Sequence, residues 1–135
     1  MKVFDLFLAT PERKLFEKKV ISVTLPVCDG EVTILADHIP YIASLKSGEM
    51  IVTSQEGNRE YIALSSGFIE FSKNTLKVLA DTAEKSDEID EERTKKAIKR
   101  AQEARKQKNI NETEYALLAS KLEKEFARLR VVRRK

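Results

Sequence analysis

Residues 61–79, YIALSSGFIEFSKNTLKVL, contain three short apolar runs that are separated by turn residues. The runs at 61–64, 68–71 and 75–79 are rich in aromatic and β-branched side chains, which pack well on a pleated sheet. Lys73 and Asn74, between the last two runs, are typical of a hairpin turn. The stretch therefore predicts consecutive short strands that are joined by tight turns.

The same pattern continues toward the start of the chain. Further strands are predicted at residues 3–8, 20–25, 31–35 and 50–53. Pro26 ends the second of these, and Glu56-Gly57-Asn58 predicts another hairpin. Because no helix-period segment interrupts the strands, we expect an antiparallel sandwich or barrel and not a parallel α/β sheet.

The pattern changes after Lys85. Proline and glycine no longer occur there, and Ala, Glu, Lys and Arg, which are good helix formers, dominate. Asp90 is the predicted N-cap of a first helix that runs to about Gln107, and Asn111 begins a second helix with capping-box spacing. The predicted domains are a β domain, residues 1–85, and an α-helical hairpin, residues 86–135.

Each predicted helix has a narrow apolar face. The stripe on the second helix has roughly heptad spacing and consists of Tyr115, Leu118, Leu122, Phe126 and Leu129. The face on the first helix consists of Ala97, Ile98, Ala101 and Ala104. At about 25 cal/mol per Å² of apolar area, such faces contribute little, so the hairpin is expected to be marginally stable alone. It is either an element that leaves the β domain and binds elsewhere, or a static, solvated hairpin.

Charge is distributed unevenly along the chain. The 135 residues carry a net charge of +3, and 35% of them are charged, which predicts a highly solvated element. Residues 1–85 contain ten Lys/Arg and twelve Asp/Glu, whereas residues 86–135 contain fifteen and ten. A basic C-terminal part joined to a mildly acidic body predicts an acidic partner for that part.

Residues that commonly build catalytic or metal sites are few. Cys28 is the only cysteine and His38 the only histidine, which excludes an internal disulfide and argues against a metal site. The four glycines lack the spacing of a phosphate-binding loop. We therefore expect no catalytic residues, no metal and no required cofactor. Without a membrane-spanning run or a signal-like start, the protein is expected to be cytoplasmic, or peripheral to a membrane through partners.

Three motifs resemble those of the epsilon subunit of F-type ATP synthases. They are residues 64–71 (LSSGFIEF), 78–84 (VLADTAE) and 89–93 (IDEER), in the family's order and spacing. Residues 29–40 (DGEVTILADHIP) and 127–131 (ARLRV) extend the resemblance to essentially the whole chain. The sequence departs from the family pattern at turn positions Thr33, Ala36, Asp37 and Ser66, and at Thr94 in the helix motif.

The resemblance implies a non-catalytic rotor subunit of a bacterial F-type ATP synthase. Its β-sandwich would pack on the gamma subunit and the c-subunit ring, and its helical hairpin would adopt a compact and an extended state. In the extended state the hairpin would reach acidic segments of the beta subunits, beside alpha, and inhibit ATP hydrolysis. The complex would hold the protein at the cytoplasmic face of the cell membrane, where it serves ATP synthesis and ion transport.

The resemblance also implies three sets of contact residues. The c-ring set is Glu31 and His38. The beta-subunit set is Arg128, Arg130, Arg133 and Arg134, with Lys135 beside them. The set for a regulatory ATP is Glu84, Ile89, Asp90, Arg93, Arg100, Lys124 and Arg128. Thr94 replaces the Ala of the family motif, and Lys124 replaces an Arg that epsilon subunits with strong ATP binding carry. We therefore expect ATP to bind weakly. Simpler interpretations exist for Asp90, as a helix cap, and for Glu31 and His38, as loop residues.

Three other functions are open to the sequence, and one of them, a free-standing ATP sensor, is compatible with the family. Basic helices and a pI of about 8.9 permit nucleic-acid binding. However, glutamates interrupt the basic residues, and Tyr115 and Phe126 belong to the apolar stripe, so platforms for base stacking are missing. An enzyme of unknown class is disfavoured because the expected catalytic residues are missing. We therefore expect no nucleic-acid partner.

Overall fold

A computed structural model of the chain describes residues 2–107 and 109–134. Within these residues it contains nine strands, a single 3₁₀ turn at Ser86–Glu88 and two α-helices. The strands are β1 Phe4–Ala9, β2 Lys14–Val27, β3 Gly30–Leu35, β4 Tyr41–Leu45, β5 Gly48–Ser54, β6 Arg59–Leu64, β7 Gly67–Ser72, β8 Thr75–Ala80 and β9 Ala83–Lys85. The helices are α1 Glu91–Arg105 and α2 Glu112–Val132.

The strands form a sandwich that is followed by the two helices, so the predicted fold class is confirmed. Hydrogen bonds join the strands in the order β1-β8-β7-β4-β2-β5-β6-β9, and β3 pairs with β2. The 14-residue strand β2 pairs with β1 through its first half and with β3 and β5 through its second half. Strands β1 and β8 run parallel, which departs from the purely antiparallel arrangement that the sequence predicts.

The sandwich encloses one continuous apolar core. Buried and exposed side chains alternate along β1 and β8, as expected for strands with one face toward the core. The rings of Phe4 and Phe71 meet edge to face, with centroids 5.7 Å apart, across this core. The core lies entirely within the β domain, so the sandwich does not depend on the helices for its own packing.

Several strand predictions need correction. Pro26 does not end β2, which continues to Val27, because the Pro26 carbonyl still accepts a hydrogen bond from Lys46 N at 3.1 Å. Strand β2 also begins earlier than predicted, at Lys14. Strands β4 and β9 are absent from the prediction. In β4 the apolar side chain of Ile42 is exposed, so apolar residues do not mark the buried face of this strand. Strand β9 has three residues, which is too short for an apolar pattern.

The structure accounts for one departure from the family pattern, Asp37, whereas Thr33 lies within β3 and not in a turn. Lys73 and Asn74 both have positive φ, 49° and 57°, which is the conformation of a two-residue hairpin, and both predicted hairpins are confirmed. Asp37 adopts φ 66° where the family has glycine, and its backbone N–H donates to Asn74 Oδ1 at 2.8 Å. Gly67 has no room for a side chain, since a Cβ would lie 2.0 Å from the Leu79 carbonyl oxygen.

Both predicted helix caps are confirmed. The Asp90 carboxylate accepts a hydrogen bond from Arg93 N at 3.1 Å, and the Asn111 side chain accepts one from Glu114 N at 2.8 Å. Helix α1 ends at Arg105, two residues before the predicted end. Within the described part of the chain, neither helix combines the length and the apolar character that a bilayer span requires.

The predicted apolar stripe of α2 is only partly correct. Leu118, Leu122 and Leu129 pack against Ile98 and Ala101 of α1, as expected. Tyr115 and Phe126, however, are 46% and 38% exposed. A straight helix with 3.6 residues per turn drifts away from a heptad stripe, and the last turn of α2 instead faces the sandwich. There Val131 and Val132 pack on Ala63 and Ile89, and these four residues form what we call the apolar seam.

Candidate ligand cleft and partner surfaces

A cleft of about 390 Å³ opens where β9, the 3₁₀ turn, α1 and α2 meet. The residues that line it, here called the hairpin cleft, are Glu84, Glu88, Ile89, Asp90, Arg93, Thr94, Ala97, Arg100, Lys121, Glu125 and Arg128. The first three turns of α1 line one side of the cleft. Lys121, Glu125 and Arg128 line the other side, because positions i, i+4 and i+7 share one face of α2. The fold therefore gathers groups that are up to 44 positions apart in the sequence.

The hairpin cleft contains six of the seven residues predicted to contact a nucleotide. These six are Glu84, Ile89, Asp90, Arg93, Arg100 and Arg128. From α2 the lining has Lys121, Glu125 and Arg128, where the prediction has Lys124 and Arg128. Lys124 is half-buried and does not line the cleft.

Arg128 is the centre of an ion-pair network in the cleft. Its Nε donates to Glu84 Oε1 at 2.6 Å, and its Nη1 donates to Glu125 Oε1 at 2.6 Å. Glu84 comes from β9 and Glu125 from the preceding turn of α2, so the guanidinium joins the helix to the sandwich. Each carboxylate accepts one hydrogen bond from the charged guanidinium, and such charge-assisted bonds are stronger than neutral ones.

Glu125 is a cleft residue that the sequence prediction missed. It is 6% exposed, and its carboxylate approaches Arg128 from the side opposite to Glu84. The available signal is its position three residues before Arg128, where an i, i+3 ion pair is expected. Along the sequence, the same spacing also suits a solvated helix face, which is why the pattern does not single it out.

The first turn of α1 already uses Asp90 and Thr94 for local hydrogen bonds. The Asp90 side chain caps the helix, and the hydroxyl of the buried Thr94 donates to the Asp90 carbonyl at 2.8 Å. The Thr94 hydroxyl, which is one departure from the family motif, is therefore satisfied by the backbone. Three cationic side chains, Arg93, Arg100 and Lys121, belong to exposed residues at the cleft. They are the groups best placed to meet an anion from solvent.

Glu88 fixes the segment between β9 and α1. Its carboxylate lies 2.7 Å from Arg13 Nη2 and accepts a hydrogen bond from Lys85 N at 3.0 Å. Burial acts to raise the pKa of Glu88, but the Lys85 N–H and the Arg13 guanidinium outweigh it, so the pKa lies below its ordinary value. Arg13 also donates to the Ala83 carbonyl at 3.0 Å, which ties this segment to the loop after β1.

The two residues predicted to contact the c-ring lie at opposite ends of β3. Glu31 is exposed near the start of the strand, whereas His38 follows its end. The His38 ring is half-buried, with Nδ1 2.7 Å from the Ile39 carbonyl oxygen, and it packs edge-on against Tyr41 and Phe71. The structure therefore does not bring these two residues together.

The residues predicted to contact the beta subunits have different environments. Arg128 is bound within the cleft network, and Arg134 makes two bonds to Glu49 of β5, at 2.9 and 3.0 Å. Hydrogen bonding and attraction by Glu49 raise the pKa of Arg134. Arg130 lines a second cleft, of about 700 Å³, between α2 and the sandwich, and Arg133 is exposed. Lys135 lies outside the described residues.

An outer apolar face on the sandwich was not anticipated from the sequence. Ile42, Phe68 and Leu79 are 73%, 51% and 38% exposed. They lie on one side of the sheet, because Phe68 pairs with Leu79 and β4 pairs with β7 in a register that places Ile42 opposite Glu70. In the sequence these residues look like core positions of strands, so their exposure becomes evident only when the register is known.

The comparisons with known proteins agree with the sequence motifs. Residues 3–86 match the family model described as ATP synthase, Delta/Epsilon chain, beta-sandwich domain. An ATP synthase epsilon chain of Natranaerobius thermophilus is 37% identical over 98% of this chain and 94% of that protein. One of Dichelobacter nodosus is 39% identical over 73% of this chain and 69% of that protein.

Solved structures support the same fold. A chain of the Euglena gracilis mitochondrial ATP synthase matches with a TM-score of 0.78 and 23% identity, over 87% of this chain and 74% of that chain. A chain of the Tetrahymena thermophila mitochondrial ATP synthase central stalk and c-ring matches with a TM-score of 0.57 and 10% identity, over 96% of this chain and 93% of that chain.

A β-sandwich that matches the Delta/Epsilon family model and is followed by two helices defines the delta/epsilon class of ATP synthase subunits. The chain belongs to the ATP synthase epsilon chain family. The resemblance stated from the motifs is thereby confirmed, and the nucleic-acid-binding alternative has no support from the comparisons.

Proposed function

We propose that the chain acts in the central stalk of an F-type ATP synthase, where its sandwich docks on the rotor and its helices regulate ATP hydrolysis. The observation that carries this proposal is that carboxylates of the sandwich bind one basic side chain of α2 and another just after the helix. Arg128 and Arg134 are bound to the sandwich carboxylates Glu84 and Glu49. An acidic surface of a partner offers these arginines equivalent bonds when the helices leave the sandwich.

The sandwich supplies the rotor contacts in this proposal. An apolar patch on the surface of a folded domain is typical of a protein interface, and the outer apolar face of Ile42, Phe68 and Leu79 fits the gamma subunit. Glu31, which is exposed near the start of β3, fits the polar loops of the c-ring. His38 packs on Tyr41 and Phe71, which face the core, so it lies apart from the outer apolar face and we assign it to a separate contact with the c-ring.

The helices supply the regulation. Their contact with the sandwich includes the apolar seam with Tyr61 and Leu129 packed beside it, the Arg128 network, and Arg134, which binds Glu49 and lies over the Tyr61 ring. Much of this contact is ionic, so a partner that carries carboxylates competes with it directly. In the extended state Arg128, Arg130, Arg133 and Arg134 bind acidic segments of the beta subunits and block rotation in the hydrolysis direction.

Through these contacts the protein resides at the cytoplasmic face of the cell membrane. It reaches the membrane through the c-ring and gamma, without inserting into the bilayer itself. Ion transport and ATP synthesis are then functions of the assembled enzyme, to which this chain contributes coupling between the head and the ring.

Removal of residues 86–135 tests both halves of the proposal. Because the sandwich has its own core, the truncated chain is expected to fold and to enter a reconstituted ATP synthase. ATP hydrolysis by that complex should rise relative to the full-length complex. Incorporation with unchanged hydrolysis would remove the regulatory role, and failure of the folded sandwich to incorporate would remove the rotor role.

A second function, weak binding of regulatory ATP, is favoured by the composition of the hairpin cleft. Arg93, Arg100 and Lys121 surround an opening large enough for phosphates, and Arg128 lies behind them. Calorimetric titration of the isolated chain with Mg-ATP, with Arg93→Ala as the control, measures this directly. We expect weak binding that disappears in the variant. Equal heats from both proteins would show that Arg93 has a structural role only.

A further inference from the structure

The hairpin cleft contains its own anion. Among the residues that the structure describes, Glu125 is the one charged residue that is buried, with 6% of its surface exposed. Its carboxylate is directed at Arg128 Nη1, 2.6 Å away, inside an otherwise solvent-open cleft. Burial of a carboxylate is unfavourable unless a cation compensates it, so the position of Glu125 depends on Arg128.

The charges around Glu125 are balanced. The cationic side chains that line the cleft are Arg93, Arg100, Lys121 and Arg128. The anionic ones are Glu84, Glu88, Asp90 and Glu125. Asp90 and Glu88 are bound locally, to Arg93 N and to Lys85 N with Arg13. Glu84 and Glu125 are thus the carboxylates that neutralise the inner cation, Arg128.

We propose that Glu125 is an internal anionic ligand of the hairpin cleft, which binds Arg128 at the edge that a nucleotide phosphate would otherwise take. The compact arrangement of the helices is then held without bound nucleotide. This inference rests on the proposed function in one respect, since it takes the cleft to be the place where nucleotide acts on the hairpin. It goes further, because it names the group that competes with the nucleotide.

The physical basis is that a guanidinium presents a limited number of donors. Arg128 donates through Nε to Glu84 and through Nη1 to Glu125, and the remaining N–H groups are on Nη1 and Nη2. A phosphate that binds at the Nη1 edge therefore competes with the Glu125 carboxylate. The displaced carboxylate of Glu125 would remain buried and without its partner. A phosphate at this edge therefore costs a buried ion pair, and we expect low nucleotide affinity for that reason.

The substitution Glu125→Gln separates the two roles of the carboxylate. The amide has nearly the same shape but no charge, so the helix and the sandwich core are preserved while the ion pair is lost. Glu123→Gln is the matched control, because Glu123 is an exposed residue on the same helix and lines the other cleft. Arg128→Met is the second variant, which removes the cation that both the carboxylate and a phosphate need.

The measurement uses the full-length chain with spin labels on Cys28 and on Ser120→Cys. Both sites are exposed, one on the turn before β3 and one on α2, so the interlabel distance reports whether the helices lie on the sandwich. Pulsed electron spin resonance is recorded without ligand, with Mg-ATP and with pyrophosphate. Calorimetry on the unlabelled chains gives the affinity for Mg-ATP.

The expected result has three parts. The parent chain and Glu123→Gln are compact without ligand, and Mg-ATP changes their distance distribution little. Glu125→Gln shows a larger extended population, which Mg-ATP and pyrophosphate both return to the compact distance, and its Mg-ATP affinity is about tenfold higher. Arg128→Met is extended and does not respond to either ligand.

Two results would overturn the inference. One is a Glu125→Gln chain that is as compact as the parent without ligand and binds Mg-ATP no more tightly. The other is a parent chain that is extended until nucleotide is added. Neither result bears on the rotor role, which is tested by incorporation of the truncated sandwich. Conversely, unchanged hydrolysis after truncation would leave the distance measurements as a valid test of Glu125.

Discussion

The sandwich and the helical hairpin are stabilised in different ways. The sandwich has a continuous core in which the side chains of Phe4, Leu8 and Phe71 are almost completely buried. The hairpin is joined to it by the four residues of the apolar seam and by two arginines bound to carboxylates. Apolar burial scales with the area removed from water, whereas the carboxylates that bind the two arginines can be replaced by those of a partner protein. The helices can therefore detach under conditions that leave the sandwich intact.

The largest expected effect comes from the core of the sandwich. Phe71→Ala removes a buried ring that packs on Phe4 and should lower the free energy of unfolding by about 3–5 kcal/mol. Phe68→Ala is the matched control on the same strand, because its ring belongs to the outer apolar face. It should change stability by under about 0.5 kcal/mol but weaken incorporation into the complex. Denaturant unfolding and co-purification measure the two effects, and similar destabilisation by both variants would contradict the difference between the faces.

A smaller effect is expected at the apolar seam. Val131→Ala removes two buried methyl groups from the contact between α2 and Ala63, which should cost the compact state about 2 kcal/mol. Hydrogen exchange should then accelerate in α1 and α2 while the sandwich amides keep their rates. Leu117→Ala, on an exposed side chain of the same helix, is the control. Faster exchange throughout the sandwich would mean that the two regions unfold as one unit.

The exposed arginines of α2 should give a still smaller effect at each site. Arg130→Gln with Arg133→Gln leaves the Arg128 and Arg134 contacts unchanged and removes charge that faces solvent or the second cleft. Each exposed charge contributes under about 1 kcal/mol to a paired contact, so the pair should weaken inhibition of ATP hydrolysis modestly. The weakening should also decrease as the salt concentration rises. Inhibition that responds to neither change would exclude attraction to an acidic partner surface.

The smallest expected effect is a pH dependence at Glu88. Because the pKa of Glu88 is lowered in the folded state, its contribution to stability is present above the ordinary value of 4.5 and is lost as the pH falls through the lower, folded-state pKa. Glu88→Gln should therefore reduce the acid sensitivity of the segment between β9 and α1 below that value. Thermal unfolding from pH 6 to pH 3 compares the two chains. Parallel curves over this range would show that Arg13 and Lys85 do not stabilise the charged form.

The sequence predicts the parts of the fold that local physics determines. Turn residues at 56–58 and 73–74 form two hairpins. Asp90 and Asn111 cap the helices because their side chains accept hydrogen bonds from backbone N–H groups of the first turn. It does not predict the strands that depend on neighbours. Strand β9 has three residues and exists because Ala83 and Lys85 pair with β6, which no local pattern records.

The candidate site shows the same division. The motif around Asp90 and Arg93 predicts which part of α1 lines the hairpin cleft, because that segment is fixed by its own cap. The residues of α2 in the cleft depend on how the helix is rotated against the sandwich. That rotation is set by the apolar seam, so Lys121 and Glu125 line the cleft and Phe126 is exposed. A periodic stripe in the sequence does not carry this information.

The proposed exchange of partners by the basic residues of α2 is tested most directly by preventing it. Glu49→Cys and Arg134→Cys, in a Cys28→Ser background, place two thiols where the two side chains are bonded. A short bismaleimide added to the isolated chain would fix α2 on the sandwich before assembly into the ATP synthase. We predict that the cross-linked complex hydrolyses ATP as fast as the complex with the truncated chain, while the same chain without the cross-linker remains inhibited. A cross-linked complex that is as inhibited as the untreated one would contradict the exchange.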